Sequence, residues 1–253
     1  MSRVCVLAIG GSDATGVAGV AADVLTIAAM GVHPALAITA VTAQDDSGMR
    51  SSHEVPAATL ADQLDVVRDT CRPAAIKTGM LASAELVEVV AHAVRVMGVP
   101  LVVDPVIATS SGSPLIDPEG LRAMRELLLP LATLVTPNQP EARLLAPEAS
   151  DELEQAAAIR ALGARWVVVT GGDGLGAPVD LLVGPSGSRR LVGERVHTSN
   201  DRGTGCTFAS AAACGLAMGE DLPSAVQAAA SFVRTGLASS YPLANARGTL
   251  KRV

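Results

Sequence analysis

The stretch NDRGTGCTFASAAACG, residues 200–215, runs a Gly-Thr-Gly turn straight into an alanine-rich helix, with Cys206 at the junction. The first turn of a helix presents four unpaired N–H groups and the positive end of the helix dipole. Glycine lets the backbone approach a ligand closely, so the amides of Gly203, Thr204, Gly205 and Cys206 form a cradle suited to a phosphate. The same dipole is expected to lower the pKa of the thiol and favour a thiolate at Cys206. A tight turn holding a buried, inert cysteine is the alternative for the same residues.

An uncharged run of this length, Gly203 to Gly219, interrupted by Thr, Ser and Gly, reads as a buried helix and not as a membrane span. It needs a partner, and the rest of the chain supplies a sheet. Of 253 residues, 49% are hydrophobic and only 2% aromatic, so the core must be built from Ala, Val and Leu. That composition fits helices packed closely on a buried parallel sheet, whose strands read as continuous aliphatic runs. Such runs fall at Val4–Ile9, Ala35–Val41, Ala74–Thr78, Leu101–Val106, Thr133–Thr136 and Trp166–Thr170, followed by an antiparallel pair at Leu181–Val183 and Arg190–Val192. Helical patterns fall between and after them, at Ala18–Met30, Ala57–Cys71, Ser83–Met97, Pro118–Leu128, Leu153–Leu162, Thr204–Met218 and Leu222–Ser239. Strand-helix alternation predicts a mainly parallel sheet covered on both faces. With no repeat, low-complexity tract or linker, residues 1–253 read as a single α/β domain.

A net charge of −6 argues against nucleic acid as a partner, since a phosphate backbone needs a basic face. Small anions stay open, because local backbone dipoles bind them whatever the net charge. The N-terminal MSRVCVLAIGG is too short in apolar residues for a signal-peptide core, and no membrane partner is expected. Cys5, Cys71, Cys206 and Cys214 form no CxxC pair and have no histidine at metal spacing, which predicts a reduced, cytoplasmic protein without structural zinc. Cys5 and Cys214 read as core residues, Cys71 as a helix-end residue, and the four scattered histidines as structural.

In parallel sheets, ligands bind beyond the carboxyl ends of the strands. Polar clusters follow the strands in turn: GGSDATG, TAQDDSG, KTGML, DPVIATSSG, TPNQPEA and TGGDG. GGSDATGVAG is no Walker loop, because Val17 stands where Lys would, and it lacks GxGxxG spacing. Asp13 or Asp23 can accept hydrogen bonds from a donor-rich ligand, while Asp13 as a helix cap is the plain alternative. Asn138 and Glu141 are spaced to hold a hydrated Mg²⁺ beside substrate phosphates, or to be an N-cap and its first-turn acid. Asp104, before Pro105, is an active-site acid or a turn former.

Together these motifs resemble the hydroxymethylpyrimidine/phosphomethylpyrimidine kinases of thiamine biosynthesis, within the ribokinase-like fold. The likeness covers nearly the whole chain, in order. GSDATGVAGVAAD is similar to the family's opening loop and helix, VTAQDDSG carries its pyrimidine-reading glutamine at Gln44, and GTGC is its most diagnostic element, with cysteine where sugar kinases carry aspartate. The resemblance implies a three-layer α/β/α sandwich, ATP and Mg²⁺, a small-molecule pyrimidine substrate and a homodimer. It assigns the catalytic position to Cys206 with Gly203, Thr204 and Gly205. It puts the substrate at Gly11, Asp23, Gln44, Met80 and Val106, the nucleotide at Asp104, Asn138, Thr170 and Arg202, and the metal at Glu141. Cys206 would then take the proton of a hydroxymethyl group as its oxygen attacks.

The chain departs from the family pattern at phosphate-facing positions. Ser110 and Thr170 stand where lysines are usual, Arg202 replaces a histidine, Asp201 replaces a threonine and adds an anion, and the glycine-rich GHGP-like tail is absent. The leading expectation is phosphorylation of the pyrimidine monophosphate to the diphosphate, since a phosphate monoester is already an anionic nucleophile. The lost lysines motivate an alternative, a catalytically silent pyrimidine-binding protein. A kinase for another ring alcohol such as pyridoxal is a third.

Overall fold

Strand residues alternate in direction, and here both directions meet apolar helices. The computed structural model describes residues 3–45, 48–109, 112–172, 176–244 and 246–252. Ser110 lies outside the described residues, as do Asp46 and Ser47 of TAQDDSG, Ser111 of DPVIATSSG, and Asp173 and Gly174 of TGGDG. In β1 (Cys5–Asp13), Cys5, Leu7 and Ile9 enter one core and Val6 and Ala8 the other. The same division runs through β4 (Ala75–Thr78), β5 (Leu101–Val103), β6 (Leu134–Val135) and β7 (Trp166–Val169).

The first core is covered by α2 (Ala57–Cys71), α3 (Ala84–Met97), α4 (Pro118–Ala123), α5 (Gln139–Leu145) and α6 (Glu152–Ala161). The second is covered by α1 (Gly19–Ala29), α7 (Thr204–Ala217) and α8 (Leu222–Ala238). The result is the expected three layers. With β2 (His33–Asp45), β3 (Gly48–Glu54), β8 (Val179–Gly184) and β9 (Gly187–Val192), the sheet order is β3-β2-β1-β4-β5-β6-β7-β8-β9. Pairing is parallel from β2 to β7 and antiparallel at both margins. The order changes direction at β1, which has β2 on one side and β4 on the other. A crevice at such a switch point is where open α/β sheets bind ligands.

Several boundaries differ from the sequence reading, each for a physical reason. β1 runs through Gly10, Gly11, Ser12 and Asp13, so half of GGSDATG is strand and not loop; a register shift between Gly10 and Gly11 accommodates it. β5 stops at Val103 because Pro105 has no N–H for the ladder. β3, GMRSSHE, was not foreseen: an exposed polar edge strand carries no apolar alternation. The helix over Pro118–Leu128 is present, but from Met124 it continues as a π-helical turn. A short hairpin of β10 (Tyr241–Leu243) and β11 (Ala246–Thr249) was also missed, and it returns the C-terminal segment to α7. No helix among the described residues is long and apolar enough to cross a membrane.

Helix α7 lies flat on the sheet because its buried side is small. Ala209, Ala211, Ala212 and Ala213 are fully buried, and a Cβ on Gly215 would stand 2.8 Å from Ala225 of α8. Overpacking here is therefore expected to be costly: Ala212→Leu should lower stability in urea by about 1–3 kcal/mol. The exposed Met218→Ala at the end of α7 should stay within about 0.5 kcal/mol of the parent. Equal effects of the two would contradict the close packing.

Candidate active site

Lys77 and Asp23 are fully buried charges at the molecule's polar centre. Lys77 sits in β4, AIKT. Its Nζ donates to both carboxylate oxygens of Asp23 in α1, at 2.9 and 3.0 Å, and lies 3.4 Å from Oδ2 of Asp104. Ser210 of α7 donates its hydroxyl to Asp23 Oδ1 at 2.8 Å. Four elements, α1, β4, α7 and the end of β5, thus meet through one ion cluster. Desolvation acts to depress the Lys77 ammonium, but the facing anions outweigh it and hold its pKa above the usual lysine value. Asp104 is pushed up by burial, against the pull of Lys77 and with the push of Asp23.

Above this cluster, two glycine-dependent turns face each other. Gly203, the residue before α7, has φ +80°, and a Cβ there would stand 2.0 Å from the Val17 carbonyl oxygen. Gly19, at the start of α1, has φ +58°, and a Cβ would meet the Gly11 oxygen at 2.3 Å. No other residue type fits these positions without moving the backbone. No side chain caps α7, and the space around Gly205 is open, so the start of α7 has the free amides and clearance the anion-cradle reading requires.

The surrounding charges are arranged differently from expectation. Asp13 is a loop organiser: Oδ1 accepts from the Thr15 amide at 2.9 Å and its hydroxyl at 2.8 Å, while Oδ2 accepts from Ala18 N at 3.2 Å. Arg202 pairs with the same carboxylate at 3.5 Å. Asp201 does not stand as a bare anion, because the Arg247 guanidinium bonds it, Nε at 3.0 Å. Beneath the turn lies Arg252, buried, donating to Thr207 Oγ1 at 2.9 Å, Thr249 Oγ1 at 3.1 Å and Val17 O at 2.8 Å. It also reaches the Arg202 and Gly203 carbonyls at 3.4 Å.

Cys206 sits between these layers, and its thiolate expectation is corrected. Burial pushes the thiol up to about 12; Lys77 pulls it down while Asp104 and Asp23 oppose ionisation. The Gly19 amide also favours the ionised sulfur, but not enough to offset burial. The helix dipole is present, but desolvation beside two carboxylates outweighs it. Cys5 and Cys214 are buried as expected.

The remaining candidates divide into two groups. On the substrate side, Gly11 and Met80 touch, since a Cβ on Gly11 would be 3.0 Å from Met80 Sδ. Val106 lies over Gly79, itself against Lys77 Nζ. Gln44 stands at the end of β2, opposite Met49 of β3. On the other side, Asn138 and Glu141 form a capping box: Asn138 Oδ1 accepts from Glu141 N at 2.8 Å and Glu141 Oε2 from Asn138 N at 3.0 Å. The plain cap reading therefore accounts for Asn138. Thr170 bridges to Asn138 across the ends of β6 and β7 and donates its amide to Pro137 O at 2.9 Å. Sequence reasoning missed Lys77, Ser210, Arg247 and Arg252. Lys77 and Asp23 had a signal, a lone charge of each sign inside apolar elements; Arg247 of the C-terminal hairpin and Arg252 after it had none.

The model of the phosphomethylpyrimidine kinase family matches residues 13–251. The chain belongs to that family. It is 42% identical over 247 residues to the hydroxymethylpyrimidine/phosphomethylpyrimidine kinase of Streptomyces coelicolor, covering 96% of this chain and 92% of that protein. It is 40% identical over 257 residues to the thiamine biosynthesis bifunctional protein ThiED of Geobacter sulfurreducens, covering 99% of this chain and 52% of that longer protein. An ADP complex of Bacillus subtilis pyridoxal kinase superposes with a TM-score of 0.92 at 33% identity, over 99% of this chain and 98% of that one.

For this family member, a protonated cysteine makes a direct prediction. Alkylation of Cys206 by iodoacetamide, followed by peptide mass spectrometry, should be slow near pH 7. Its rate should rise roughly tenfold per pH unit up to about pH 10 without levelling off. A plateau below about pH 9 would show a stabilised thiolate.

Proposed function

We propose that this chain is an ATP-dependent kinase that phosphorylates 4-amino-5-hydroxymethyl-2-methylpyrimidine phosphate to the diphosphate, with the unphosphorylated alcohol as a further substrate. Family membership supports the reaction class. What carries the choice of substrate is the setting of Cys206 at the start of α7, with Lys77, Asp104 and Asp23 around it. Burial beside Asp104 and Asp23 raises the thiol and disfavours its thiolate at pH 7. A hydroxymethyl group must lose a proton in the transfer, whereas a phosphate monoester attacks as the anion it already is. The monophosphate therefore asks less of this site.

In this reading the pyrimidine lies on the Gly11–Met80 ledge, with Val106 across from it. The Gln44 amide offers a donor and an acceptor to the aminopyrimidine edge; no hydrogen bond engages that side chain among the described residues, so both are available. Asp23 acts from below, holding Lys77 and Ser210, and is a positioning residue. The amides from Gly203 to Cys206 face the transferring phosphoryl group, where alignment and charge neutralisation supply most of the catalysis. Cys206 stands beside Asp104 and shapes the floor. In alcohol phosphorylation, the same sulfur would take the substrate proton as its own S–H proton moves to the Asp104 carboxylate, whose affinity for it is raised by burial.

The nucleotide is assigned to the ends of β6 and β7, with Asn138 and Thr170 contributing chain shape more than side-chain contacts and Arg202 bordering the phosphates. Magnesium takes hard oxygen ligands. Glu141, a buried carboxylate, fits that class, while the Asn138 side-chain oxygen is committed to its cap. When bound, the cation neutralises charge on the nucleotide phosphates. We read residues 1–253 as one domain, cytoplasmic, and paired as a homodimer; exposed Leu36 and Val41 on β2 support a pairing surface.

Two other readings have a specific motive. The likeness to a pyridoxal kinase motivates a second ring alcohol, and replacement of usual lysines motivates a silent binding protein. Steady-state ADP release with Mg-ATP separates them. The monophosphate should give the highest kcat/KM, the alcohol less and pyridoxal least, and Gln44→Ala should raise KM for the pyrimidine about tenfold with KM for ATP unchanged. Turnover of the alcohol with none of the monophosphate would sink the substrate assignment. Binding of the pyrimidine without any ADP release would establish the silent protein.

A further inference from the structure

Two cysteines that the kinase site does not use, Cys5 and Cys71, lie at the opposite end of the sheet, with a histidine. Cys5 opens β1 and stands in register with His33, which opens β2. Cys71 is the last residue of α2; Arg72 follows in the left-handed region at φ 47°, and Ala74 N bonds Cys5 O at 2.8 Å. That turn returns the helix end to the start of β1. The two sulfurs and an imidazole nitrogen of His33 all lie within 4.8 Å of one another. Spacing along the chain hid this grouping, because three separate elements bring it together. The sequence spacing stands as read; it is the fold that supplies a histidine neighbour.

We propose that Cys5, His33 and Cys71 form a binding site for a thiophilic divalent cation, with zinc the ion that fits. Two sulfurs and one imidazole are a borderline-soft donor set, which selects zinc over magnesium or calcium. Binding releases the two thiol protons to solvent and forms two metal–sulfur bonds and one metal–nitrogen bond to neutral imidazole, so the occupied site carries no net charge. Tetrahedral zinc places its ligand atoms about 3.4–3.8 Å apart, so the three side chains must draw in by up to about 1 Å. Cys5 is buried and fixed by the strand, while His33 is exposed and Cys71 half-buried at a helix end, so the movable ligands are on the open side. Water completes the fourth position there.

The site would tie the starts of β1 and β2 to the end of α2. It lies about 25 Å along β1 from Asp13 and the phosphate-binding turns, and it stands whether or not the kinase reading holds.

Anaerobic titration of the reduced full-length protein with Co²⁺ tests it. One equivalent should produce a thiolate-to-cobalt charge-transfer band in the near ultraviolet, displaced by Zn²⁺. Cys71→Ser should abolish the band, and His33→Ala should weaken binding about tenfold or more. Zinc at about a hundred times its Kd should raise Tm by roughly 5–10 °C in the parent protein and not in Cys71→Ser. ADP release by Cys71→Ser should match the parent. Absence of the band, or a band surviving in both variants, would overturn the site. So would a Cys5–Cys71 disulfide in the freshly purified protein, shown by thiol counting before and after reduction.

Discussion

The buried contact between Lys77 and Asp23 is the constraint on which the site rests. An ammonium at zero exposure is tolerated only if anions surround it closely, and Asp23, Asp104 and the hydroxyl-bonded edge of Asp23 at Ser210 supply that environment. Satisfying one lysine fixes α1, α7 and the end of β5 against β4. The same arrangement brings the two glycine turns face to face, because Gly19 begins α1 and Gly203 precedes α7.

Charge in this cluster also sets the character of Cys206. A helix start alone favours a thiolate, but here two carboxylates and partial burial oppose it, and the nearby ammonium is already engaged by those carboxylates. The sulfur is left as a neutral hydrogen-bonding group. Chemistry that needs no base at that position suits it best, and this connects the electrostatics of the floor to the preference for a substrate that arrives as an anion. Above the floor, Arg202 and Arg252 keep positive charge around the turn without standing on it. Asp13 takes part of the first, and backbone carbonyls hold the second in place.

The fold was legible because every core strand is aliphatic and every core helix is apolar on its sheet side. Both cores, the parallel pairing and the marginal hairpin followed from those runs. What failed was polar or C-terminal: β3, whose residues GMRSSHE meet solvent, and the β10–β11 hairpin, whose role depends on where the chain returns. At the site, the GTGC turn could be found from its glycines at a helix start, and Asp104 from its place after a strand. Lys77 could not be assigned a role until Asp23 was known to face it, and Arg252 has no local signal at all. The Asn138–Glu141 pair shows the opposite case, a spacing that suits a metal but is first of all a helix cap. The Cys5–His33–Cys71 cluster shows a third case, in which register and a helix end assemble what spacing does not announce.

The most direct measurement is the coupling between Asp23 and Lys77 from a double-mutant cycle in urea, using Asp23→Asn, Lys77→Met and the combined variant. Lys77→Met leaves two buried carboxylates without their cation and Asp23→Asn leaves Lys77 with Asp104 alone; each should cost about 3–5 kcal/mol, and the combined variant should cost clearly less than the two together. Simple additivity would contradict the central role assigned to this pair.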